Sequence, residues 1–340
     1  MSADAPGRVG TLTTSLALRL VMRLSLPPQH TTNQVGNDDD GEMRFKYGDR
    51  PWTGRNRMMG EPRIAAHAVQ GALAPHPRIR NVIAVGSGKG GVGKSTTAVN
   101  LALALLQRGA RVGLLDADIY GPSVPAMLGL NGRPDSPDNK SIEPLRAFGI
   151  EAMSIGLLVD QDTPMIWRGP MATSALTQLF NDTLWGDLDY LLIDLPPGTG
   201  DIQLTLSQKI PVAGAVIVTT PQDIATLDAR KALKMFEKVE VPVLGIVENM
   251  AVHTCSNCGH REHLFGEGGG ERMAAQYDVP LLGSLPLEMA IREQGDAGQP
   301  IVVAAPESAA AQAYLVAAAR LSEELSKRPR ASIPISASLL

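Results

Sequence analysis

The chain has 340 residues, a formal net charge of −4, and 44% hydrophobic but only 4% aromatic residues. That length suits one large α/β domain with extensions or two small domains, and the mild acidity removes any general electrostatic reason to bind nucleic acid. No apolar run reaches the length of a membrane span, and a lone pair of cysteines, Cys255 and Cys258, excludes a disulfide framework and points to a reducing compartment.

Residues 1–78 read as a leader. Positions 11–26 are apolar, broken by Arg19 and Arg23 and poor in acids, a composition that fits a mitochondrial transit peptide, an unstructured leader or a wrongly chosen start codon equally well. Positions 29–60 are polar, with an Asp38-Asp39-Asp40 cluster, and read as disordered. Positions 61–78 predict a short helix ahead of Pro77. A single domain over 79–326 follows, and 327–340, with Pro329 and Pro334, reads as a loose tail.

Within the domain, Val82-Ile83-Ala84-Val85 predicts a strand and residues 96–107 a helix whose end Gly109 marks. Further strands are expected at 111–116, 149–155, 190–195, 215–220, 243–247 and 279–285, with helices at 171–180, 224–239 and 308–325. Continuous aliphatic strands alternating with helices predict an α/β fold, a doubly wound, mostly parallel sheet flanked by helices. Such sheets bind ligands beyond the carboxyl ends of their strands.

Between the first strand and helix stands Gly88-Lys89-Gly90-Gly91-Val92-Gly93-Lys94-Ser95, followed by Thr96. Glycines let the backbone curl so that successive N–H groups form a nest for phosphate oxygens. The helix behind adds the positive end of its dipole. In this phosphate-loop spelling Lys94 supplies charge to the β- and γ-phosphates, and the Ser95 hydroxyl can ligate Mg²⁺. The chain is expected to bind a nucleoside triphosphate. Two apolar strands close on carboxylates, one on Asp116-Ala117-Asp118 and one on Asp194. Asp194 is placed to hold Mg²⁺, directly or through water, and Asp116 to support the metal shell. Gly198 has the freedom to bring its N–H towards a γ-phosphate, whereas Asp201 reads equally well as an ordinary helix-start acid.

Cys255-Ser256-Asn257-Cys258 supplies two thiolates at C-x2-C spacing, half of a tetrahedral site suited to zinc or an iron–sulfur cluster. No other cysteine exists, so four thiolates require two chains. His253, His260 and His263 leave open a single-chain Cys2His2 zinc site, although His260 follows Cys258 more closely than zinc-finger spacing favours.

The double-lysine loop, with Lys89 near its start, resembles the deviant Walker A loop of the group containing MinD, ParA and the nitrogenase iron protein. Together with Asp116-Ala117-Asp118-Ile119-Tyr120-Gly121-Pro122-Ser123, Trp167-Arg168-Gly169-Pro170, the run from Asp194 to Asp201, and the cysteine pair, it makes residues 80–325 similar to the Mrp (ApbC) family of iron–sulfur P-loop ATPases. The resemblance implies a homodimer that holds a [4Fe–4S] cluster between subunits and transfers it to apo iron–sulfur proteins, in exchange with cluster-assembly scaffolds, with slow ATP hydrolysis. It further implies that Lys89 reaches the partner's nucleotide, that Asp118 orients the attacking water, and that Asn249 reads the adenine. Neither nucleic acid nor membrane is an expected partner. A bacterial cytoplasm is the expected location, with the mitochondrial matrix second. Two rival readings remain at this level: a MinD- or ParA-type positioning ATPase, and a zinc-stabilised ATPase.

Overall fold

The computed structural model describes residues 64–71, 73–159, 167–255 and 257–331. The transit-peptide and disorder readings of the leader fall outside these residues, as does the tail from 332 onward. The centre is a nine-stranded sheet. Strands β1 (Val82–Ser87), β2 (Val112–Asp116), β4 (Ile150–Ser154), β5 (Tyr190–Asp194), β6 (Gly214–Thr219), β7 (Val243–Thr254) and β9 (Leu281–Leu287) run parallel in the order β4-β2-β5-β1-β6-β7-β9. Two short strands are antiparallel: β3 (Leu145–Ala147) on β4, and β8 (Arg261–Glu262) on the end of β7.

The period of two inherent in a strand divides the apolar residues between two cores. Ile83 and Val85 of β1 face one, Val82 and Ala84 the other. Helices α1 (Lys94–Gln107) and α9 (Ala309–Ser326) cover the first through Leu101, Leu105, Tyr314 and Leu321. Helices α3 (Gly169–Asp182) and α5 (Asp223–Lys238) cover the second through Leu176, Phe180, Leu233 and Phe236. All eight are buried, and each Leu or Phe among them contributes about 1.5–3 kcal/mol of transfer free energy.

The expected strands and long helices occur with ends displaced by a few residues, with one large exception. Strand β7 does not stop at Val247 but runs to Thr254. Its last pair with β6 is Thr219↔Glu248, so six further residues run on past β6, where Val252 and His253 still pair with Pro286 and Leu287 of β9. Several short elements were not expected: α2 (Val124–Met127), α4 (Asp201–Lys209), α6 (Gly269–Tyr277), α7 (Met289–Asp296) and α8 (Ile301–Ala304). Helix α7 buries none of its residues, only Ile291 packing partly against the core.

Two expectations are overturned. The described part of 61–78 is not a helix but an extended strap, and the start of the tail is not loose. His67 bridges Arg330, the Ala68 amide donates to the Pro329 carbonyl at 2.9 Å, and the Ala331 amide to Ala66 at 3.0 Å. Polar side chains fasten the strap to the sheet: Asn81 Oδ1 accepts from the His67 amide at 3.0 Å, and Gln70 bonds the Ser207 carbonyl and the Val212 amide. A segment whose partners are at the other end of the chain and on a sheet edge shows no local pattern.

Candidate nucleotide site and thiol hairpin

The phosphate loop joins β1 to α1 at the carboxyl edge. Gly88 is required by a close approach: a Cβ there would lie 2.0 Å from the backbone carbon of Asp228, so α5 packs directly against the loop. Gly93 has φ 79°, a left-handed backbone that L side chains rarely adopt. The Ser87 hydroxyl donates to the Lys89 carbonyl at 2.9 Å, fixing the start of the loop, and leaves the Lys89 side chain half-buried at its lip.

The carboxylates expected from the two acidic strand ends converge on Lys94. Its Nζ is 2.6 Å from Asp194 Oδ1, 3.8 Å from Asp118 Oδ2 and 3.2 Å from the Ser95 hydroxyl. Asp116 and Asp194 are register partners on β2 and β5, which explains the meeting of residues far apart in sequence. Burial pushes the Asp194 and Asp118 carboxyls up, and the Lys94 ammonium opposes this in both. Asp116 is pushed up to about 7, first by burial and then by the Asp194 charge. Asp194 Oδ2 is buried with no hydrogen-bond partner among the described residues, an arrangement that suits a cation or a metal-bound water.

Asp116 organises the backbone around it. Oδ1 accepts from the Asp118 amide at 3.0 Å, while Oδ2 accepts from the Val124 amide at 3.2 Å and the Ser154 hydroxyl at 3.1 Å. With three of about four lone-pair sites taken, it shapes the loop that carries Asp118. Ser154, at the end of β4, has no motif to mark it; only its register opposite Asp116 reveals it. The two family-specific stretches also touch, through the Tyr120 hydroxyl and the Trp167 carbonyl at 3.5 Å.

The Gly198 amide donates to the Ser87 carbonyl at 3.0 Å, so reaching a γ-phosphate means breaking that bond. Gln203 steadies the same turn by donating to the carbonyls of Pro196 and Pro197. Asp201 opens α4 and sits in its first turn, the structural role weighed for it. Asn249 is buried, and its Nδ2 donates to the Val92 carbonyl at 2.9 Å, bracing the phosphate loop from β7.

The cysteines lie at the tip of a hairpin formed by the projecting end of β7 and β8, with His253↔Glu262 and Thr254↔Arg261 paired. The turn closes through the Cys255 amide on the His260 carbonyl at 2.8 Å and the Gly259 amide on the Cys255 carbonyl at 2.9 Å. Cys258 is exposed and Cys255 half-exposed. The amides of Cys258 and Asn257, and then the Cys258 thiol, hold the Cys255 thiol below its ordinary range, as suits a metal-binding thiolate. Two of the nearby histidines have one ring nitrogen engaged with a backbone carbonyl. His253 Nδ1 lies 3.0 Å from the Leu287 carbonyl and His263 Nδ1 2.7 Å from the Ala251 carbonyl. Among the described residues no group of three or more His, Cys, Asp or Glu is arranged to hold a metal ion. No helix among them is long and apolar enough to cross a membrane.

A family model described as ParA, NUBPL iron-transfer P-loop NTPase, matches residues 78–322. The chain belongs to that family. It is 62% identical over 253 residues to an iron-sulfur cluster carrier protein of Pseudomonas fragi, covering 74% of this chain and 88% of the relative. It is 61% identical to the protein of that name from Escherichia coli, over 73% of this chain and 67% of the relative. The mouse iron-sulfur cluster transfer protein NUBPL is 52% identical, over 75% and 81% respectively. Among solved structures, an Archaeoglobus fulgidus nucleotide-binding protein in complex with ADP matches with a TM-score of 0.59 and 41% identity, over 68% of this chain and 90% of that one. The Pyrococcus furiosus cell-division ATPase MinD matches at 0.52 and 26%, over 73% and 98%. The double-lysine loop, the carboxylates and the C-x2-C hairpin of this chain are thus set on a P-loop NTPase fold of the MinD/ParA type.

Proposed function

We propose that the chain is an ATP-dependent iron–sulfur cluster carrier, in which Cys255 and Cys258 and the same pair from a second copy hold one [4Fe–4S] cluster between them. The observation that carries this reading is the hairpin: two thiols at the tip of a strand that projects from the nucleotide edge, with no third ligand assembled beside them among the described residues. Two thiolates satisfy half of a cluster's four iron sites, so a second chain completes the cage, and cargo binding and dimerisation stabilise each other. The names of the relatives from P. fragi, E. coli and mouse support the cargo.

In this reading the amides of residues 88–96 hold the phosphates, and Lys94 leaves Asp194 to meet the β- and γ-oxygens. Ser95 and Asp194, with Asp116 behind them, would hold Mg²⁺ directly or through water, and the ion would supply positive charge to the phosphates. The unpartnered Asp194 Oδ2 fits that place. Asp118 orients the attacking water, Lys89 reaches the partner's nucleotide, and Asn249 adds an adenine contact to its hold on the loop. Slow hydrolysis lets Gly198 return to Ser87. Clients are apo iron–sulfur proteins and assembly scaffolds. Identity higher with the two bacterial relatives than with the mouse one supports a bacterial cytoplasm.

Anaerobic reconstitution with iron and sulfide tests the reading. The parent should acquire cluster as a dimer, and the Cys255→Ala/Cys258→Ala variant should acquire none. Equal cluster in the double variant, or a strict monomer with a full complement of iron, would overturn it.

A further inference from the structure

Glu248 is a buried carboxylate that neither the phosphate chemistry nor the thiol chemistry uses. It is 4% exposed, and its oxygens accept from the Gly270 amide at 2.7 Å and the Ser284 hydroxyl at 3.3 Å. Gly270 lies in the first turn of α6, where amides have no intrahelical acceptor and the dipole favours a negative charge. Ser284 is the cross-strand neighbour of Glu248 on β9. One side chain therefore fastens a helix and a strand to a single point of β7.

At that point β7 departs from regular geometry. Its register with β9 shifts between Glu248 and Val252, and Met250 takes φ 57°, a conformation that persists only where the surroundings enforce it. A bulge re-aims the side chains beside it. Here Asn249 is turned onto the Val92 carbonyl of the phosphate loop, and beyond the bulge the strand resumes and ends at the thiols. The loop and the hairpin thus share one irregular stretch of backbone, clamped from behind by Glu248.

We propose that Glu248 is a positioning residue that links the two sites, so that nucleotide in the loop alters the reactivity of Cys255 and Cys258. The proposal relies on the carrier reading for the identity of the hairpin's cargo and not for the linkage itself. Its test is the rate at which the two thiols of the full-length chain react with iodoacetamide, without nucleotide and with saturating Mg–ADP, alongside ADP affinity by calorimetry. In the parent, ADP should change the alkylation rate by about fivefold or more, the low end of ordinary coupling between sites. Glu248→Ala should remove that dependence and weaken ADP binding, although the carboxylate faces α6 and β9 rather than the loop or the thiols. Glu248→Gln keeps an acceptor for the Gly270 amide and should retain most of the dependence. Should Glu248→Ala fail to fold, Ser284→Ala removes one of the two hydrogen bonds and should reduce the dependence. A parent whose alkylation ignores ADP, or a folded Glu248→Ala or Ser284→Ala with the parent's full response, overturns the proposal. Failure of the parent to bind cluster would instead overturn the carrier reading and leave the alkylation result standing.

Discussion

The phosphate loop and the thiol hairpin sit on the same edge of the sheet and are built in opposite ways. The loop is over-determined: α5 presses on Gly88, Asn249 braces Val92, and Lys94 lies against a buried carboxylate. The hairpin tip is held by two pairs with β8 and a turn, on a stem that β9 supports at Val252 and His253, with Cys258 open to solvent. A site that closes on a ligand with fixed geometry can be completed within one chain. A site whose ligands number only two is finished by whatever brings the others, and rigidity there would hinder both assembly and release.

Substitution at Gly88 should break that contrast most severely. The new methyl would meet the backbone of Asp228 at 2.0 Å rather than a yielding side chain, so α5 or the loop must move. Gly88→Ala should therefore cost about 4 kcal/mol or more in urea unfolding, within reach of the whole stability of a domain. A cost below about 1 kcal/mol would show that the loop yields more easily than its packing implies.

Next in size is Lys94→Ala. The ammonium is the nearest cation to both Asp194 and Asp118, and its removal leaves two carboxylates facing the phosphate site. ATP hydrolysis should fall by about 100-fold or more, the scale of losing one electrostatic contact to a reacting oxygen, while cluster bound at the hairpin changes little. Hydrolysis retained within tenfold would remove Lys94 from the phosphate-binding role.

How much of this was legible in the sequence depended on whether the partners were local. The phosphate loop is contiguous, and Asp116, Asp118 and Asp194 close apolar runs that announce strand ends. Ser154 and Glu248 act through cross-strand register, and the strap at His67 through pairing with Arg330, so no local pattern marks them. The extension of β7 was hidden for another reason: Glu248-Asn249 interrupts the apolar run where the register with β9 shifts, and such a break reads in sequence as a strand's end.

The acid pair behind the loop makes a smaller prediction with a definite sign. The unfolded chain releases the Asp116 proton near its ordinary value of 3.8, whereas in the folded state burial and Asp194 hold it to about 7. Between those limits the folded state binds more protons, so stability falls as pH rises. At about 1.4 kcal/mol per pH unit the full effect is on the order of 4 kcal/mol, shared with the neighbouring Asp194. Asp116→Asn should flatten the decline between pH 4 and pH 7 in urea titrations of the nucleotide-free protein. Parallel curves for parent and variant would mean that Asp116 ionises in the fold as it does in water.

Gly259→Ala should give the smallest loss of stability and so sharpens the comparison from the hairpin side. No atom of the described residues lies within 4 Å of the added methyl, in contrast to Gly88, and the backbone at φ 70° resists, a cost of roughly 1–2 kcal/mol for a non-glycine residue. That strain falls on the turn whose amides hold the Cys255 thiol below its ordinary range. Relaxing the turn should draw the amides of Asn257 and Cys258 away from Cys255, raising the pH at which it reacts with iodoacetamide, while urea unfolding loses no more than that backbone cost. A large drop in stability with an unchanged alkylation profile would reverse the assignment, making the hairpin part of the rigid fold and its thiol reactivity independent of the turn.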